Sequence, residues 1–210
     1  MNMQKQFIQL QLALFFKNTF EGVIEKASLA LKAKFGADMG TQIINVPPIA
    51  PVEIPRLILT SDQVNINLAK NRIDFFTKKK SFASDNIANI FYVLGELGVE
   101  VGRIGLVLTF FKESDLVDLK SLLNGNAINL SNTAEITIRL NEKTTIQGIN
   151  YNNSQMYVSA SAKDAAGETK NGVVITRDIN SRAEDSNTFS SEALGAFLNE
   201  ALPLGENTLI

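Results

Sequence analysis

The segment ITRDINSRAEDSN, Ile175 to Asn187, sets Asp178, Glu184 and Asp185 beside Arg177 and Arg182. Residues of these types could do chemistry if they met. Carboxylates converging on one point hold a divalent cation and activate water, and a neighbouring arginine clamps an anionic group. Spread along a strand end and a loop, the same residues only keep a connection solvated. The spacing favours the second arrangement. In GVVITRDI, Val173, Ile175 and Ile179 share a strand phase with Arg177, while Asp178 projects to the other face. Glu184 and Asp185 fall in a connection leading to Ser190, where negative charge near a helix start is mildly stabilising. A wet strand-to-helix loop is therefore expected. The alternative is a carboxylate-based, metal-dependent hydrolase that uses Asp178, Glu184, Asp185 and Arg177.

Composition narrows the chemistry further. The chain of 210 residues contains no histidine and no cysteine. Imidazole bases, Ser-His-Asp triads, thiolate nucleophiles and thiolate metal sites are all excluded. No cofactor and no metal are expected, and the balance tips away from an enzyme. A formal net charge of −2 gives no global field that would draw the chain to nucleic acid or anionic lipid. The one local concentration of basic residues is Lys70, Arg72, Lys78, Lys79 and Lys80. It could dock phosphate, nucleic acid or an acidic protein surface. Equally, lysines there would keep a loop soluble and blunt a strand edge, which is the preferred reading.

Two other segments could mislead. FIQLQLALFF is apolar, but Gln9 and Gln11 interrupt it and Lys17 follows, so neither a signal peptide nor a membrane span is expected. The expectation is a soluble, cytoplasmic protein with no membrane partner. GELGVEVGRIG is glycine-rich, yet it matches no phosphate-binding fingerprint and runs from a helix into a strand, the reverse of a dinucleotide site.

The elements that must position these residues follow from periodicity. Ile8, Leu10, Leu12, Leu14 and Phe16 alternate as a strand, and Phe20, Val23, Ile24, Ala27 and Leu31 recur at helical spacing up to Gly36. TQIINV predicts a short strand. The four prolines of PPIAPVEIP forbid regular structure, so Ile49, Val52 and Ile54 sit on an extended connection. RLILT, VNINLA and RIDFFT predict three strands, and Ile87, Ile90, Phe91, Leu94 and Leu97 form a helical stripe before Gly98. The pattern then restarts. VEVGRIGLVLTFFKE predicts a long strand, and SDLVDLKSLLNG a helix between Ser114 or Asp115 and Gly125. AEITIRL, TTIQGIN, QMYVSASA and GVVITRDI predict a meander. A last helix is capped by Ser190 and stapled by Phe189 and Leu194.

The expected class is α+β, with antiparallel sheet and helices on one side. Two similar strand-helix-meander-helix units, 1–98 and 99–210, are expected, either sharing one sheet or stacked as two lobes. Phe7, Phe15, Phe76 and Phe111 oppose the nominal core phase: they are core if helices cover both sheet faces, the preferred reading, and would mark an interface if only one face is covered. The leading functional expectation is a non-catalytic binding, scaffold or regulatory protein. It would act through a sheet face and adjoining loops on a protein partner or on a second copy of itself.

Overall fold

Alternating apolar residues build β1 (Gln6–Phe16), which among the described residues is the middle strand of a nine-stranded sheet. The computed structural model describes residues 5–113, 135–163, 167–185 and 187–208. After β1 come α1 (Ile24–Phe35), β2 (Gly40–Ile43), β3 (Leu57–Thr60), β4 (Val64–Leu68), β5 (Arg72–Thr77), α2 (Phe82–Asp85) and α3 (Ile87–Leu97). Then follow β6 (Val101–Glu113), β7 (Thr137–Ile146), β8 (Ile149–Lys163), β9 (Thr169–Ser181) and α4 (Ser191–Glu206). The strand order is β2-β3-β4-β5-β1-β6-β9-β8-β7, antiparallel throughout. The class is α+β. The helix expected between Ser114 and Gly125 lies outside the described residues.

Register makes the core. Leu10, Leu12 and Leu14 face Thr77, Phe75 and Ile73 on one side, and Leu108, Leu106 and Ile104 on the other. The layer continues through Ile66 and Leu68 in β4 and Ile175 and Ile179 in β9. Leu31 of α1, Phe82 of α2, Ile90 and Leu94 of α3, and Leu194, Phe197 and Leu198 of α4 close over this layer. These helices share one buried cluster and therefore one face of the sheet. Burying a full-sized apolar side chain contributes roughly 1.5–3 kcal/mol, so this layer dominates stability.

Three details depart from the periodicity. The β1–β6 register slips between Phe7 and Gln9, leaving Ile8 as the extra residue of a bulge. Phe7 is thereby rotated to the helix side, where its ring meets Phe110 edge-on at 5.7 Å, and Ile8 is exposed. Helix α1 begins at Ile24, so Phe20 and Val23 precede it; Phe20 is buried and Val23 faces solvent. The four expected meander segments are three longer strands. The polar NEK stretch stays inside β7, and the turn is the two-residue loop Gln147–Gly148 between Ile146 and Ile149. Both loop residues take positive φ, 51° and 77°, the geometry whose twist matches a hairpin.

Helix α4 follows its sequence signals. The Ser190 side chain accepts from the Ala193 amide at 3.2 Å, and Phe189 and Leu194 are both buried as the staple. Near its other end, Gly205 lies so close to β6 that a Cβ there would stand 2.4 Å from Leu108 Cδ1.

Candidate functional site

Among the described residues, no helix covers the second face of the sheet, and the alternate residues of every strand line it. Across its centre the register sets Asn65, Phe76, Gln11, Val107, Asp178, Ser154 and Asn141 in one row. A parallel row holds Asn67, Asp74, Ala13, Gly105, Asn180 and Asn152. Amides and carboxylates dominate, and they bond one another. Gln11 Nε2 donates to Asp74 Oδ1 at 3.0 Å, and Asn180 Nδ2 donates to Asp178 Oδ1 at 2.9 Å.

Three of the aromatic residues singled out above lie on this face, each half-buried. Phe15 leans over Gly105, between the guanidinium groups of Arg103 at 4.7 Å and Arg72 at 5.7 Å. Phe111 covers Gly172 so closely that a Cβ there would meet its ring at 2.6 Å. Phe76 pairs with Gln11 and Asn65. Phe7 does not join them, because the bulge at Ile8 turns it to the core. The two glycines let rings lie flat on the sheet, so part of each aromatic surface is already used within the chain.

Asp74, which periodicity did not single out, is the buried charge of this face, with 2% of its surface exposed. Arg72 Nε lies 3.0 Å from Asp74 Oδ2, yet its N–H is not directed at the oxygen, so the contact is charge pairing without a formed hydrogen bond. Burial pushes the Asp74 carboxyl above the usual carboxylate range, while the Gln11 hydrogen bond and the Arg72 charge pull it back.

The residues of the Ile175–Asn187 segment are not gathered. Asp178 faces the open side, opposite Val107 and Ser154. Arg177 points under α4 and is 3% exposed. Glu184 sits in the exposed loop after β9, where its own backbone amide and Arg182 hold its carboxyl below the usual range. Asp185 follows it in the same loop. Among the described residues no three histidine, cysteine, aspartate or glutamate side chains are grouped to hold a metal ion.

The basic residues are dispersed as well. β5 (Arg72–Thr77) separates Lys70 and Arg72 at its start from Lys78, Lys79 and Lys80 beyond its end, and five rises of about 3.4 Å put roughly 17 Å between its first and last residues. Lys70 pairs with Glu21 at 2.9 Å, Arg72 with Asp74, Lys79 with Asp85 at 2.7 Å and Lys80 with Glu206 at 2.7 Å. Among the described residues, Lys78 alone of the five has no ion pair.

The proline segment is tied to the β4–β5 turn at two points, where the Lys70 amide donates to the Val52 carbonyl at 3.1 Å and Asn71 Nδ2 donates to Glu53 Oε1 at 3.5 Å; Ile49 at its tip is 96% exposed. The glycine-rich stretch ends α3 and opens β6, with Gly98 in the left-handed conformation that terminates a helix. A cavity of about 280 Å³ between α3, the start of β6 and Ser190 is mostly apolar, lined by Phe91, Leu94, Val99, Val101 and Phe189. No described helix is long and apolar enough to cross a membrane. No protein-family model matches the chain, and no curated protein matches it.

Proposed function

We propose that the chain is a non-catalytic binding protein that works through the helix-free face of its sheet and the loops beside it, with a protein or a second copy of itself as partner. One observation carries this reading. The face combines half-buried apolar residues (Phe15, Phe76, Val107, Phe111, Val174 and Met156) with a lattice of amides that can still donate and accept. Protein interfaces mix apolar contact with satisfied polar groups in this way. We infer further that 1–98 and 99–210 are two similar units. The connectivity supports it: β1 and β6 lie side by side, the last meander strand before α3 pairs with β1, and the last before α4 pairs with β6.

Light scattering after size exclusion, run with the wild type and with Phe76→Lys and Val107→Lys, tests the binding reading. A dimer, or a captured protein complex, that both charged variants abolish while keeping their circular dichroism spectrum supports it. A monomer at every concentration that retains no partner, or an assembly indifferent to both variants, overturns it.

A further inference from the structure

Among the described residues, Arg177 forms no ion pair. It stands in the apolar phase of β9, opposite Leu108 on one side and Gln155 on the other. Its single hydrogen bond among the described residues runs from Nη1 to the Asn207 carbonyl at 3.3 Å, and its buried Nε has no acceptor. Burial lowers the pKa of the guanidinium, and the nearest compensation comes from Glu142 and Tyr157 acting at a distance. A buried charge with so little pairing is costly, and an orphaned buried donor calls for a partner.

Two more cations reach the same place. Lys5 donates to the Glu206 carbonyl and, at 3.2 Å, to Thr208 Oγ1, with its ammonium 4.7 Å from the centre of the Phe110 ring. Lys80 bonds the Glu206 carboxylate and lies 5.7 Å from the centre of that ring. Lys5 feels both of the others: burial lowers its pKa, Glu206 raises it, and Lys80 and Arg177 lower it again. Capping the end of α4 explains only part of this gathering. A helix C-terminus carries about half a negative charge. Together with the Glu206 carboxylate it offsets about half of the three positive charges, and Glu142 acts on Arg177 besides, so the excess is positive but below roughly +1.5.

We propose that Arg177, Lys5 and Lys80 form an oxyanion site at the C-terminal end of α4, which takes a compact phosphoryl or carboxylate group. Arg177 would be its rigid floor, since a guanidinium presents a planar fork that matches two oxygens. Lys80, with 44% of its side chain exposed, stands at the solvent side and supplies long-range attraction. The site is on the helix side of the sheet and is independent of the binding face proposed above.

Isothermal titration with inorganic phosphate and with acetate, at constant ionic strength, tests the site. The expected result is saturable one-to-one binding of at least one of the two, weakened about tenfold or more by Lys5→Gln, by Lys80→Gln and by Arg177→Met. The anion that binds identifies the oxyanion class. Arg177→Met changes a buried residue, so the lysine variants carry the test if that variant does not fold. Absence of saturable heat in the wild type with both anions overturns the site. So does wild-type affinity in both lysine variants, which would put the anion elsewhere. If Arg177→Met folds and still binds as tightly as the wild type, the guanidinium is only a helix cap and the proposal fails.

Discussion

Strand β9 can be read on two sides. Toward the helices it presents Val173, Ile175, Arg177, Ile179 and Ser181; away from them it presents Val174, Thr176, Asp178 and Asn180. Among the described residues, each sheet face thus holds one deeply buried charge, Arg177 on the covered side and Asp74 on the open side. Their circumstances differ. Asp74 has Gln11 and Arg72 beside it on a face lined with amides, whereas Arg177 stands between Leu108 and Gln155 in the apolar layer, and its hydrogen bond among the described residues goes to one carbonyl. A charge on the polar face is solvated by its neighbours. A charge in the apolar layer keeps most of its demand for a counterion. The faces therefore suit different tasks, broad contact on one and a point charge on the other.

The contrast can be broken most directly at adjacent residues of β6. Leu106→Ala empties the covered layer and is expected to cost about 2–5 kcal/mol. Val107→Thr, on the open face, is expected to cost less than about 0.5 kcal/mol in the isolated chain. Urea denaturation of both variants checks the pair. A loss above about 2 kcal/mol for Val107→Thr would mean that its face is covered in the folded chain, which removes it as a free surface.

Two helical glycines give a smaller, opposed pair. Gly205→Ala drives a Cβ into Leu108, which is buried and cannot swing away, and is expected to cost about 1–2 kcal/mol after the helix-propensity gain. Gly95→Ala in α3 meets nothing within 4 Å and is expected to stabilise by about 0.5–1 kcal/mol. Thermal melts of the two variants should move in opposite directions. If Gly205→Ala also rises, α4 is not seated as tightly as its approach to Leu108 requires.

The finest probe is the pH dependence of Asp74→Asn. Because burial raises the folded-state pKa of Asp74, the folded chain holds more protons than the unfolded chain between the ordinary aspartate value and the raised one. The contribution of Asp74 to stability therefore falls as pH rises through that window. The asparagine variant should flatten this part of the profile, measured as urea midpoints on either side of it. An unchanged slope would show that Arg72 and Gln11 fully compensate the burial.

Much of this architecture was legible in residue spacing. The alternation of Leu10, Leu12 and Leu14, the stripe of α3 before Gly98 and the Ser190 cap with its Phe189–Leu194 staple all hold. Periodicity is a local signal, and the errors fall where a one-residue event resets it. The bulge at Ile8 exchanges the roles of Ile8 and Phe7, and nothing in the apolar pattern marks the slip. The hairpin at Gln147–Gly148 carried its turn glycine in plain view, but the polar NEK stretch looked like a better break. Of the candidate sites, the separation of Arg177 from Asp178 followed from strand phase alone. Asp74 and Lys5 could not be found that way. Their neighbours come from β1 in one case and from the end of α4 in the other, and only the fold brings those segments close.

The position of β1 has a consequence for how the chain reaches its native state. The first described strand in chain order is the central one; of its partners, β5 follows only after α1 and three strands, and β6 after α2 and α3 as well. Loop-closure entropy must be met before either pairing is rewarded, so folding should be slow, in the roughly millisecond-to-second regime of non-local β topologies. Until then β1 is an apolar ribbon with neither of its two edges paired. That interval before pairing, more than the finished form, is where aggregation would begin.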